Sequence, residues 1–139
     1  MKLRLVLLAM LLPLSILAQK HQERLDIIDV KHYRFELELT DQSDVITGKA
    51  SITIQFREDT ESVWLDLAKK SGKKGMVVKE VLSDGNRVSF YHFQDNLTFK
   101  AKAKKGEEKT FEVHYSGIPS TGLVIDKNKH GDRTFFGDN

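Results

Sequence analysis

Five histidines, His21, His32, His92, His114 and His130, are the side chains of this 139-residue sequence best suited to metal or proton chemistry. No two of them lie three to five residues apart, so no local zinc-binding pair exists, and the H-E-x-x-H order is absent. His32 and His114 fall on the polar side of alternating segments and read as surface groups. His92 could point inward as a hydrogen-bonded core histidine. Asp126, Asp132 and Asp138, with Asn128 and Asn139, offer oxygen ligands near one loop. Lys127, Lys129 and Arg133 are interleaved with them and oppose a dication, so the stretch reads as a solvated loop. No serine sits in a G-x-S-x-G elbow. Gly72 and Gly75, among Lys69, Lys70, Lys73 and Lys74, lack the order and the following helix of a phosphate loop. Cysteine is absent, which excludes disulfides, thiolate metal sites and cysteine nucleophiles. Trp64 and Tyr91 suit either an exposed aromatic patch or packing onto another domain. Asn96-Leu97-Thr98 has the glycosylation acceptor pattern, a tripeptide common by chance. No catalytic, cofactor-binding or metal-ligating residue is therefore expected in this chain.

The elements that carry these residues repeat with period two. Tyr33, Phe35, Leu37 and Leu39 alternate with His32, Arg34, Glu36 and Glu38, which predicts a strand with one buried face and one wet face. Ile46, Gly48, Ala50, Ile52, Ile54 and Phe56 form the next apolar row. Gly48 and Ala50 in that row predict a close approach by a neighbouring element, or a bulge. Further strands are predicted at Val63 to Leu67, Met76 to Leu82, Leu97 to Ala101 and Phe111 to Tyr115. Short ones follow at Leu123 to Ile125 and Thr134 to Phe136. Asp84-Gly85-Asn86 is a hairpin signal, and Val88, Phe90 and His92 begin the return strand. About eight or nine short strands at roughly ten-residue spacing predict an all-β, antiparallel sandwich.

The first 18 residues read as a leader rather than as fold. Lys2 and Arg4 precede an apolar run from Leu5 to Ala18. The run is short for a spanning helix of roughly 20 residues and is interrupted by Pro13. Cleavage is expected between Ala18 and Gln19, with a polar linker over residues 19–28 and one domain over residues 29–139. Export to the periplasm or the extracellular space follows, with no stable membrane span after cleavage. Lysine and arginine total 22 and aspartate and glutamate 20. Lys2 and Arg4 account for that whole excess, so the remainder is formally neutral and gives no reason to expect nucleic acid.

The order of these segments resembles the amino-terminal domain of the aminopeptidase N-type zinc metallopeptidases. Asp29-Val30-Lys31-His32-Tyr33, with Phe35 to Leu39, is similar to that domain's opening strand. Ile46 to Thr53, with Gly48 at its centre, is similar to the next. Val63-Trp64-Leu65-Asp66-Leu67 matches a strand ending in L-D-L. Gly106-Glu107-Glu108, Val113 to Gly117, Gly122-Leu123 and Phe135 to Asn139 complete the order. The resemblance implies a saddle-like β-sandwich packed on a thermolysin-like catalytic domain. That domain would carry G-x-M-E-N and H-E-x-x-H, and its zinc would polarise the scissile carbonyl. Neither motif occurs here. The chain is thus expected to be a non-catalytic fragment that stops before the catalytic domain, inactive alone, with zinc only in that absent partner. A standalone exported binding module, using Trp64, Tyr91 and Phe93, is the competing expectation.

Overall fold

The computed structural model describes residues 23–137. The leader, the Ala18–Gln19 junction, His21, Asp138 and Asn139 lie outside the described residues. Ten strands occupy most of the rest: β1 (Ile28–Thr40), β2 (Ser43–Phe56), β3 (Thr60–Asp66), β4 (Gly75–Ser83), β5 (Asn86–Val88), β6 (Phe90–Phe93), β7 (Asn96–Ala103), β8 (Glu108–Ile118), β9 (Leu123–Lys127) and β10 (Arg133–Gly137). A five-stranded sheet has the order β1-β2-β8-β4-β5, a three-stranded sheet the order β3-β7-β6, and β9 with β10 forms a ribbon. All pairings between these strands are antiparallel.

The alternation places the core between the two larger sheets. Ile46, Ala50, Ile52, Ile54 and Phe56 of β2 and Phe111, Val113 and Tyr115 of β8 are buried on one side. Val63 and Leu65 of β3 and Leu97, Phe99, Ala101 and Ala103 of β7 are buried on the other. Phe99 and Phe111 meet across the sandwich with ring centroids 4.9 Å apart. Each such ring or branched chain contributes about 1.5–3 kcal/mol by leaving water.

The turns follow the predicted chemistry. Asp84 and Gly85 both have positive φ, 50° and 78°, and join Ser83 to its partner Asn86 in a two-residue hairpin. Paired positive φ values match the twist of the flanking strands. The β2–β3 and β7–β8 turns are clipped together. Lys104 Nζ lies 2.8 Å from Asp59 Oδ2, the Lys105 amide donates to Asp59 Oδ1 at 2.8 Å, and Lys105 Nζ lies 2.9 Å from Glu58. Ahead of β1, residues 23–27 form a helical turn. Arg24 holds it to Asp66 of β3 at 2.7 Å.

Two expectations need correction. The segment from Val88 to His92 is not one return strand. β5 pairs with β4 in the large sheet, whereas β6 pairs with β7 in the small one, so the chain changes sheets at Ser89. The second correction concerns β1. Tyr33, Phe35, Leu37 and Leu39 do share a face, but all four are exposed, Phe35 to 60%. β1 is an edge strand, and its only extensive strand contacts are with β2. The small sheet lies over β2 and β8 and does not reach the outer half of β1.

Candidate functional site

Two surfaces stand out, one apolar and one aromatic with polar neighbours. The first is the uncovered inner face of β1, which runs beside the buried row of β2. Register sets Tyr33 beside Ile52, Phe35 beside Ala50 and Leu37 beside Gly48. The same rows continue into β8 at Phe111, Val113 and Tyr115. The missing side chain at Gly48 lets the Tyr115 ring lie against the β2 backbone there. The Tyr33 and Phe35 rings stack at 5.7 Å, 6° from parallel. At the mouth of the sandwich, a cavity of about 100 Å³ opens between Tyr33, Phe35, Leu65, Leu67, Leu97 and Tyr115. Burial pushes the phenols of Tyr33 and Tyr115 above the ordinary tyrosine value.

The second surface is the outer face of the small sheet. Tyr91 and Trp64 flank Thr98 in register, and Phe93 and Asp66 flank Asn96. Tyr91 and Phe93 are exposed and their rings lie 6.0 Å apart, 11° from parallel. Together with Trp64, Gln94, Asn96, Thr98 and Glu23 they line an open recess of about 510 Å³. The Thr98 hydroxyl donates to Asn96 Oδ1 at 2.8 Å, so the two polar members of the acceptor tripeptide are bonded to each other.

The remaining candidates do not converge. His92 turns inward beside Leu97, and its Nε2 lies 2.8 Å from the Leu67 carbonyl oxygen, to which a ring N–H donates. His32 and His130 are exposed. His114 lies on the outer face of the large sheet, 3.6 Å from Glu80 and 3.4 Å from Glu112. Asn128 Oδ1 accepts the amides of His130 and Asp132, closing the last loop on itself. Asp126 accepts the Lys127 amide. Residues Ser71 to Lys74 form a tight turn, with their lysines exposed. Among the described residues no group of three or more His, Asp or Glu side chains is placed to hold a metal ion. No helix there is long and apolar enough to cross a membrane.

Sequence reasoning missed the open flank. The signal available was the charge series Arg34, Glu36, Glu38 on the other face of β1, since charged side chains are a common means of guarding a sheet edge.

No protein-family model matches the chain, and no curated protein does. Solved structures do match. The M1 zinc metallopeptidase of Deinococcus radiodurans superposes with a TM-score of 0.59 at 22% identity, over 69% of this chain and 21% of that one. A mutant of it from the same organism gives 0.59 at 24% identity, over 73% of this chain and 23% of that one. A mutant two-domain M1 zinc metallopeptidase bound to L-tryptophan gives 0.59 at 22% identity, over 69% and 22%. The chain has the fold of one part of the M1 zinc metallopeptidases. It spans only about a fifth of their length. The M1-like sandwich offers no ligand set for zinc among residues 23–137.

Proposed function

We propose that the chain is the exported, non-catalytic amino-terminal sandwich of a zinc-dependent metallo-aminopeptidase. Its work is structural: it packs on the catalytic domain and forms one wall of the cleft. The observation that carries this reading is an M1-like fold joined to an open apolar sheet face, Tyr33, Phe35, Leu37 and Leu39. A contiguous apolar row on an otherwise neutral domain marks a surface that another body covers. The zinc, the water-activating glutamate and the groups that grip the substrate's amino end would all belong to the catalytic domain. The basic start and apolar run of residues 1–18 support export, with cleavage between Ala18 and Gln19.

Sequencing the transcript 3′ of the Asn139 codon tests this. An H-E-x-x-H coding stretch downstream is the expected result. A clean stop followed by an unrelated gene would reject it. The exposed Tyr91–Phe93 stack favours a second reading, a standalone exported binding module. In that case the unrelated downstream gene is expected, and alanine at Tyr91 and Phe93 abolishes retention on the ligand without unfolding the chain.

A further inference from the structure

β1 is the free edge of the large sheet, 13 residues long, with β2 on one side and no strand of the described residues on the other. Irregularities occur between Val30 and His32 and between Glu38 and Thr40, and the stretch between them is regular. Every residue from Lys31 to Thr40 is exposed. A long edge with unpaired backbone groups and an apolar row beside it is a template for another strand.

The side chains along that edge are their own complement. Laid antiparallel about Phe35, one copy places Arg34 opposite Glu36 of the other, and His32 opposite Glu38. The symmetry repeats both pairs. On the inner face, Phe35 meets Phe35 and Tyr33 meets Leu37. Other registers that keep the apolar rows on one face fail. A slide of two residues sets Glu36 against Glu36, or Arg34 against Arg34. A slide of four sets Glu36 against Glu38, or His32 against Arg34. An odd slide turns the apolar row of one copy towards the charged row of the other. Glu36 already lies 3.1 Å from Lys49 and 3.3 Å from Arg34 of its own chain. Pairing would extend this to an alternating series of Lys49, Glu36 and the second copy's Arg34. Opposite charges directly across a strand pair stabilise it, and like charges oppose it.

We propose that a second copy of this chain docks on β1, strand to strand and antiparallel, about a two-fold axis through Phe35. The two large sheets then form one, with a single apolar face. The contact is isologous, as a closed two-fold pair requires. It uses the strand alone, so it holds or fails independently of the metallopeptidase reading.

The chain has no cysteine, so one introduced thiol reports one contact. Directly opposed Cα atoms in an antiparallel pair lie about 4.5–5.5 Å apart, within disulfide range. The full chain carrying Phe35→Cys is expected to cross-link to itself under mild oxidation. Tyr33→Cys alone and Leu37→Cys alone should form no disulfide dimer, because each thiol is offset from its own copy by roughly 14 Å along the strand. A mixture of those two variants should cross-link. Absence of dimer from Phe35→Cys overturns the proposal, as does equal cross-linking of all three. Sedimentation provides a second arm. Arg34→Glu and Glu36→Arg should each be monomeric at low salt, because each sets like charges opposite. Their equimolar mixture should recover the dimer. Unchanged association of either single variant, or no recovery on mixing, also overturns it.

Discussion

The ring of Tyr115 lies directly on the backbone of Gly48. A Cβ built at position 48 would sit 2.3 Å from Tyr115 Cζ and 2.6 Å from its hydroxyl oxygen. No ordinary side chain fits there unless the ring swings out of the sandwich mouth. Gly48→Ala is expected to cost about 1–3 kcal/mol, the usual range for overpacking. Urea unfolding measures it. The cost should largely vanish in a Tyr115→Ala background, because the two residues share one space. Full additivity of the two losses would contradict the contact.

The same contact has a signature at high pH. Burial raises the Tyr115 phenol above its ordinary value. The folded chain therefore holds this proton more tightly than the unfolded chain does. The associated stability is complete below the ordinary phenol value and is lost as pH climbs through the raised one. A Cζ-labelled tyrosine titration followed by NMR should show Tyr115 ionising late. In Gly48→Ala its midpoint should move back towards the ordinary value.

At low pH the turn clip is the group to watch. The side-chain bond from Lys104, followed by the Lys105 amide, lowers the Asp59 carboxyl, and the Lys104 amide lowers Glu107. Each contributes stability above the ordinary carboxylate value and loses it as pH falls through the lowered folded value. Asp59→Asn should flatten the acid limb of the stability curve. An unchanged limb would mean the clip is not populated in solution.

The open flank and the core should respond differently to truncation. Phe111 is fully buried. Phe111→Ala is expected to cost about 3–5 kcal/mol. Phe35 projects from the uncovered half of β1, so Phe35→Ala should fall within about 1 kcal/mol of the parent. Equal losses at the two positions would mean that something covers β1 in the isolated chain.

Gly85 stands at φ +78° in the hairpin. Gly85→Ala meets no neighbour there but must adopt a left-handed conformation, at about 1–2 kcal/mol. Thermal melts measure this. A shift of similar size for Gly85→Asn would contradict it, because asparagine tolerates that region.

Most of the architecture was legible because alternation reports which side chains share a face. The buried rows of β2, β7 and β8 follow it residue by residue, and Gly48 announced a close neighbour. Alternation does not report whether a second sheet lies opposite. Tyr33, Phe35, Leu37 and Leu39 carry the same pattern as Ile52, Ile54 and Phe56, yet only the latter are covered. Nor does it report a change of sheet, as at Ser89, where strand-like residues continue without a turn signal. Of the candidate surfaces, Trp64, Tyr91 and Phe93 were visible as aromatics on a polar-facing side. The edge of β1 was not, because its exposure depends on where the small sheet ends.

The proposal most open to refutation is that this sandwich is non-catalytic. Release of 4-nitroaniline from an aminoacyl-4-nitroanilide by the purified chain, with zinc supplied, tests it directly. No release above the buffer rate is expected. Turnover that a chelator abolishes and zinc restores would contradict it.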